Sequence, residues 1–231
     1  MTRELPGDVI WMRPQRAGVG RPAQHSRAEI TAAAVMIADR EGLDAVSMRR
    51  IAAELGAGAA SLYRYLGSRE DLLDLMTDST GAEFVLAAPT GDWLADLVGF
   101  GQQARVIMRR HPWLVSLVIT RPVLGPNGLA LLEHVLGVLA PHPADAAIKL
   151  EAFAMLNTIT AVFVQYELTG GSATQRRNAA YLSHAVTSGQ HPRLASLLAE
   201  VPSSGDSPAD KYGDILARIL GGLLGPARSS A

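Results

Sequence analysis

The chain has 231 residues, of which 48% are hydrophobic and 19% are charged, and its formal net charge is −1. This composition is too apolar for a disordered protein and is sufficient for one or two globular domains. Cysteine is absent, which excludes disulfides and thiolate ligands for zinc and fits a cytoplasmic protein. The net charge gives no overall electrostatic argument for nucleic-acid binding, so the positions of the charges matter more than their sum.

Residues 1–25 are rich in proline, glycine and arginine and have no periodicity that could pack a core. We expect them to form a flexible basic arm, because the charges from Val9 to Arg27 are all arginine. The arm either contacts DNA or has no role, and the sequence leaves both alternatives open. Acidic residues and prolines interrupt the amino terminus, so it does not resemble a secretory signal.

The next segment, residues 26–76, has the periodicity of four helices separated by short connections. Ser26 followed by Glu29 forms a capping box, Ser47 caps the second helix, and Ser68 caps the fourth. Two turns of helix after Gly58 are too short to be stable alone and must pack on their neighbours. The helices are expected at residues 27–40, 48–55, 59–65 and from 69 onward.

The rest of the chain, residues 77–225, is also predicted to be helical, with prolines and glycines falling between segments. No strand pattern is present, and residues 226–231 are expected to form a disordered tail. The longest apolar stretch, Ala152 to Val164, is shorter than the roughly 20 residues that cross a bilayer, so we expect no membrane partner. The helices are expected at residues 93–110, 113–119, 129–139, 144–168, 173–188 and 208–224.

The second and third helices have the pattern of a helix-turn-helix. Ala52 allows the two helices to cross closely, and Gly56 can adopt the positive φ that the turn requires. Ile51, Leu55 and Leu62 provide apolar anchors before and after the turn. The fold class is therefore all-α, with an N-terminal helix-turn-helix domain and a C-terminal helical bundle.

The third helix carries polar and aromatic residues that folding alone does not explain. Recognition of the major groove of DNA would give these residues a role. Small alanines allow close approach to a thymine methyl, arginine can reach a base edge, and hydroxyls can bind phosphates. Arg49, early in the second helix, should project in the same direction. The alternative is that the tyrosines, and Tyr65 in particular, pack on the bundle. The residues expected to face DNA from the third helix are Ala59, Ala60, Ser61, Tyr63, Arg64 and Tyr65.

The strings "GLDAVSMRRIAAELG" and "ASLYRYLGSREDLL" resemble the DNA-binding domain of the tetracycline-repressor (TetR) family in order and spacing. The resemblance implies a homodimer with recognition helices in successive major grooves of a near-palindromic operator. It places Ser47, Ser61, Tyr63 and Arg69 at phosphate-contacting positions, and Arg49, Ala60 and Arg64 near base-reading ones. Arg27, Ala59 and Tyr65 complete the set of residues expected at the DNA.

Residues 110–135 are similar to the regulatory domain of the branch that contains the tetracycline repressor, in which Thr120-Arg121-Pro122 matches a mobile loop. That branch has a magnesium-binding histidine where this chain has Leu117, which argues against a magnesium–tetracycline inducer. An unidentified small-molecule effector is still implied. Each candidate pocket residue could instead be ordinary core. The candidates are Phe100, Ala104, Trp113, Leu117, Glu133, Phe153 and Asn157.

No residue pattern predicts catalysis, a cofactor or a metal site. His111 has no second histidine or acid at helical spacing, and Glu133 and His134 point in different directions. The long helix at 144–168 and the last helix, with a stripe of Ile215, Ile219, Leu220 and Leu223, are expected to form the dimer interface. A stripe that packs within one chain is the alternative.

The sequence thus predicts a ligand-responsive, homodimeric DNA-binding repressor. A helical small-molecule-binding protein or enzyme, whose N-terminal domain docks a partner other than DNA, is the alternative. Activation and repression cannot be separated from sequence.

Overall fold

The computed structural model describes residues 9–13, 25–200 and 208–225, and within them the chain forms helices and no strands. Short 3₁₀ helices lie at Ile10–Met12, Leu43–Ala45 and Gly81–Glu83. The α-helices, numbered in chain order, are α1 Arg27–Glu41, α2 Met48–Glu54, α3 Ala59–Leu62, α4 Arg69–Thr80, α5 Trp93–Arg110, α6 Pro112–Thr120, α7 Pro126–Val138, α8 Ala146–Leu168, α9 Ala173–Thr187, α10 Pro192–Glu200 and α11 Pro208–Leu224.

The first four α-helices form the predicted N-terminal unit. Ser26 and Ser68 accept hydrogen bonds in capping boxes with Glu29 and Asp71, as the sequence predicts for Ser26. Ser47 caps α2. Gly56 has a φ of 64°, which confirms the positive φ expected in the turn between α2 and α3.

Helix α3 is shorter than expected, and this changes where Tyr65 lies. The α-helix ends at Leu62, and the amides of Tyr65 and Leu66 both donate to the Leu62 carbonyl in a tightened last turn. Side chains three apart eclipse one another in such a turn, so Tyr65 falls on the same side as the fully buried Leu62.

The N-terminal core continues into the second half of the chain. Side chains of α1, α2 and α4 pack with Ile107 and Met108 of α5, with Trp113 to Leu117 of α6, and with Ala161 and Val164 of α8. The expected boundary between residues 76 and 77 lies inside α4, so this helix belongs to both units. The position of the domain boundary stays a prediction.

A second core lies among α5, α7, α8 and α11. Every fourth residue of α11 is fully buried, from Tyr212 through Leu216 and Leu220 to Leu224. The hydroxyls of Tyr212 and Thr160 are 2.7 Å apart, and burial raises the pKa of Tyr212 to about 12. This buried stripe shares only Leu220 with the stripe that the sequence predicts for the dimer interface. The other three residues of the predicted stripe, Ile215, Ile219 and Leu223, are partly exposed.

Helix α8 is long and apolar enough to cross a membrane by length and composition, contrary to the sequence expectation. The helix is nevertheless built into the second half of the molecule, because it packs on α5, α6 and α11. Core helices of other proteins pass the same test. Only 28% of its most apolar window is buried within the chain, so α8 also has an exposed apolar face.

Two further expectations are corrected. Residues 9–13 of the proposed flexible arm are folded, with Ile10 only 2% exposed. The sequence interpretation also missed α10, which packs with α9. The rest of the arm and the tail at 226–231 lie outside the described residues.

Candidate functional site

The helix-turn-helix presents a polar surface to solvent. Exposed residues are Arg49 of α2, Ala60 of α3, Arg64 just beyond α3 and Arg69 at the start of α4, and the ring of Tyr63 is 55% exposed. Within the part of the chain that the structure describes, the side chains of the three arginines form no ion pair. Three guanidinium groups here are thus available for phosphates or base edges. Ala59 is half-buried and packs against the core.

Arg50, the neighbour of Arg49, is committed to the fold. Its guanidinium lies 2.8 Å from Glu41 of α1 and 2.8 Å from Glu54 of α2. Hydrogen bonds to these two carboxylates raise the pKa of Arg50 above its ordinary value. Only Arg49 of this adjacent pair keeps its charge unneutralised.

Two serines expected to bind phosphate differ in what they can still donate. Ser47 accepts a hydrogen bond from the Arg50 amide at 3.1 Å, so its hydroxyl proton can be donated to a phosphate. Ser61 donates its proton to the Gly58 carbonyl at 2.6 Å. A phosphate oxygen can only accept, so Ser61 would have to rotate away from Gly58 to bind one.

Two residues expected to face DNA are directed inward. Tyr65 is 6% exposed and belongs to the N-terminal core, because the tightened turn places its ring on the same side as Leu62. The Arg27 guanidinium donates to the backbone carbonyls of Tyr65 at 2.9 Å, Ile10 at 3.2 Å and Arg13 at 3.0 Å. Burial lowers the pKa of Arg27. Both predictions are therefore corrected, since these side chains stabilise the fold.

A cavity of about 450 Å³ lies among α4, α5, α6, α7 and α8. This volume is within the range of about 300–1,000 Å³ that is typical of small-molecule sites. Most of its wall is apolar. Its lining residues are Thr77, Asp78, Thr80, Gly81, Phe84, Ala104, Ile107, Met108, Leu114, Val118, Ile119, Arg121, Pro122, Val123, Leu124, Gly128, Leu131, Leu132, Leu150, Phe153, Ala154, Asn157 and Thr158.

Three of the seven predicted pocket residues line this cavity, namely Ala104, Phe153 and Asn157. The other four do not. Phe100 is buried behind the wall and stacks on Phe84 with ring centroids 4.8 Å apart, whereas Glu133 is exposed. Trp113 and Leu117 belong to the N-terminal core. Helix α6 turns these two towards α1 and α4, which the periodicity of so apolar a helix could not predict.

The two charged residues among the lining residues already have hydrogen-bond partners within the chain. The carboxylate of Asp78 accepts from the amides of Gly128 at 2.9 Å and Asn127 at 3.3 Å, and from the Asn127 side chain at 3.1 Å. Arg121 donates through Nε to Asp74 at 2.6 Å, and this bond raises the pKa of Arg121. An anionic ligand in the cavity therefore meets no free cation, because Arg121 is the one cation among the described lining residues and is paired with Asp74.

Models of two protein families match the chain. The model described as bacterial regulatory proteins, tetR family, matches residues 30–76, and the tetracyclin repressor-like C-terminal domain matches residues 87–225. The chain belongs to the TetR family of transcriptional regulators. Regulators of this family bind DNA operators and small-molecule effectors, typically as dimers.

Relatives of this TetR-family chain include named repressors. The HTH-type transcriptional repressor DrrR1 of Streptomyces coeruleorubidus is 33% identical over 228 residues, covering 94% of this chain and 83% of DrrR1. An HTH-type regulator of Saccharopolyspora erythraea is 38% identical over 140 residues, 60% of this chain and 59% of that protein. The TetR-family protein ActR of Streptomyces coelicolor, whose crystal structure was solved in complex with actinorhodin, is 30% identical in sequence to this chain. The two structures match with a TM-score of 0.74, and the match covers 87% of this chain and 98% of ActR.

The two units of this TetR-family chain are joined by a polar cluster that sequence spacing could not reveal. The ring nitrogens of His111 lie 2.7 Å from Asp39 of α1 and 2.7 Å from Glu83, before α5. Trp113 also donates to Asp39, at 2.7 Å. The carboxylates contact opposite ring nitrogens and so do not converge on one point, as metal ligands must. His111 is therefore a buried bridge between the units.

The folded N-terminal segment is a second link between the units. Arg13 forms an ion pair with Asp71 of α4 at 2.6 Å. Trp11 lies against Gly125, where an added Cβ would come within 2.4 Å of the indole and 2.5 Å of Asp78. Because Asp78 lines the cavity, this segment connects the DNA-binding unit with the cavity wall.

Proposed function

We propose that the protein is a homodimeric repressor that binds a near-palindromic operator and is released from it by a small molecule. The observation that carries the proposal is the exposed polar face of the helix-turn-helix, with Arg49, Arg64 and Arg69 unpaired and Tyr63 exposed. Residues 26–76 form its DNA-binding domain and residues 77–225 its regulatory domain. It is not an enzyme, and it acts in the cytoplasm, where its operator is.

The roles of the DNA-facing residues follow from their chemistry. Arg49, Ala60 and Arg64 read base edges, while Ser47, Tyr63 and Arg69 bind phosphates and fix the position of the helix on the duplex. In a dimer the two helices meet half-sites about 34–36 Å apart or somewhat more, one helical turn of DNA.

Dimerisation uses an exposed apolar stripe on α8. Met155, Val162 and Tyr166 are between 42% and 68% exposed and recur at intervals of seven and four residues, which places them on one helix face. The partly exposed Ile215 and Ile219 of α11 extend this surface. Pairing α8 and α11 with their copies removes the apolar stripe from water.

Release by an effector requires that the ligand favour one of two arrangements of the recognition helices. Helix α4 connects the two sites, since it begins at Arg69 beside the DNA-binding surface and reaches the cavity at Thr77, Asp78 and Thr80. A ligand that shifts α4 therefore also shifts the position of α3. The ActR complex with actinorhodin supports a small organic molecule as the effector class.

The salt dependence of DNA binding tests this proposal. A protein that binds phosphates through arginine loses affinity linearly with log[salt], at a slope of roughly −0.9 per phosphate neutralised. With three unpaired arginines per protomer, we expect a steep slope on duplex DNA in fluorescence anisotropy. A flat response would favour the alternative of a helical small-molecule-binding protein whose N-terminal unit docks another partner.

A further inference from the structure

The polar groups of the cavity restrict what it can bind. Its one cation, Arg121, is paired with Asp74, and the carboxylate of Asp78 already accepts three hydrogen bonds from the α7 N-terminus. Among the lining residues that the structure describes, no other side chain carries a charge. An anionic ligand group would thus lose its hydration shell without gaining a free cation, which is strongly unfavourable.

The Thr77 hydroxyl in the cavity wall lacks a partner. It is the one buried side-chain polar atom without a hydrogen bond among the described residues. Helical threonines usually donate to the carbonyl four residues earlier, and Thr158, on the opposite wall, donates in this way to Ala154 at 2.9 Å. Thr77 lines the cavity, so a ligand there can supply the missing hydrogen bond.

We propose that the effector is a largely apolar organic molecule without an anionic group, and that it places a hydroxyl or carbonyl oxygen against Thr77. This inference rests on the proposed function, because it takes the cavity as the effector site. The apolar wall supplies affinity through burial, and the hydrogen bond to Thr77 orients the ligand.

The position of Thr77 gives this hydrogen bond a regulatory consequence. Thr77 is eight residues after Arg69 on the same helix, about 12 Å along its axis at 1.5 Å per residue. The ligand oxygen therefore acts directly on α4, the helix that leads back to the DNA-binding surface. An apolar ligand without such an oxygen would fill the cavity but would lack this interaction with α4.

Two probes with one rigid three-ring body separate the effect of charge from that of shape. These are 2-(hydroxymethyl)anthraquinone, which is uncharged, and anthraquinone-2-carboxylate. Their affinity for the full chain is measured by quenching of tryptophan fluorescence, without DNA. We expect the uncharged probe to bind at least about tenfold more tightly, since the carboxylate meets no free cation. Equal or tighter binding of the carboxylate, or no binding of either probe, would overturn the proposal.

Thr77→Val removes the hydroxyl and keeps the shape of the side chain. It should weaken the uncharged probe by about 3- to 10-fold, as expected for one neutral hydrogen bond. Thr158→Val is the matched control, because that hydroxyl lines the same cavity but is already satisfied. Equal effects of the two substitutions would refute the role of Thr77.

Asp74→Asn tests the exclusion of anions separately. It removes the charge that neutralises Arg121, so the affinity for the carboxylate probe should rise by roughly threefold or more while that for the uncharged probe stays unchanged. An unchanged affinity for the carboxylate would contradict the proposed reason for exclusion.

Gel shifts without probe report on the regulator function, so a protein that binds the uncharged probe but not DNA would refute only the proposed function.

Discussion

Tyr63 and Tyr65 are two residues apart in the chain, yet one ring is exposed and the other is buried. The sequence predicts which residues flank the turn, because Ser47, Gly56 and Leu62 each have a local reason for their position. It does not predict the last turn after Leu62, where a change from four- to three-residue hydrogen bonding decides which tyrosine faces the core. For the same reason the inward direction of Arg27 was not predictable, since its acceptors are carbonyls exposed by distant turns.

Substitution of the two tyrosines should separate these environments. Tyr65→Ala should lower the free energy of unfolding by about 3–5 kcal/mol, because it leaves a cavity in the N-terminal core. Tyr63→Ala should leave stability nearly unchanged. Urea denaturation followed by circular dichroism measures both, and similar losses would show that the Tyr65 ring is not a core residue.

Arg49 and Arg50 give a matched test of base reading. Arg49→Ala should cost roughly 1–3 kcal/mol of operator binding and relax base preference, while Tyr63→Phe should weaken binding to all sequences alike. Arg50→Ala is the control, because that guanidinium is paired with Glu41 and Glu54 and should leave base preference unchanged. Gel shifts on operator and scrambled DNA decide. Equal losses on both DNAs for Arg49→Ala would contradict its base-reading role.

At the scale of the elements, sequence periodicity is most accurate where a helix is long and its ends are marked. Helix α5 begins and ends where predicted, because Asp92 caps its start and the His111-Pro112 pair ends it. Contacts between elements could not be predicted from periodicity, because they depend on tertiary packing. The His111 bridge joins residues 72 and 28 positions apart, and α6 directs Trp113 and Leu117 away from the cavity.

The His111 bridge should stabilise the junction between the two units. His111→Gln cannot keep both contacts in the same geometry, so it should lower the free energy of unfolding by about 1.5–3 kcal/mol. Thermal unfolding measured by calorimetry would contradict this account if the glutamine variant were as stable as the wild type.

The contact of Trp11 with Gly125 can be tested by adding one methyl group. Gly125→Ala would place a Cβ 2.4 Å from the indole, so it should destabilise the protein by about 1–3 kcal/mol through overpacking. Gly137→Ala is the control, because no atom lies within 4 Å of its Cβ and alanine favours the helix. A Gly125→Ala variant as stable as this control would show that residues 9–13 do not pack on the cavity wall.

At the scale of the whole molecule, α8 serves two surfaces at once. Its inner residues pack on α5, α6 and α11, and its exposed apolar stripe is the proposed dimer face. Burial of both faces would explain the apolar composition of the helix, a property that its sequence shares with a membrane span. A partner copy on the proposed dimer face would account for a composition that a single chain does not.

A charge in this stripe should separate the protomers. Val162→Glu would place a carboxylate in the apolar interface, so we expect a monomer in sedimentation analysis together with loss of operator binding. Val106→Glu changes an exposed valine on α5, outside the stripe, and should leave a dimer. A Val162→Glu protein that remains dimeric would place the interface elsewhere.

Two copies of the helix-turn-helix, one from each protomer of the proposed dimer, should bind two half-sites of one operator through their exposed faces. Selection of bound sequences from a random duplex library tests it most directly. We predict enrichment of a near-palindrome whose half-sites lie about 34–36 Å apart or somewhat more, lost in an Arg49→Ala, Arg64→Ala double variant. Recovery of no preferred sequence by the wild type, or of the same palindrome by the double variant, would contradict the account.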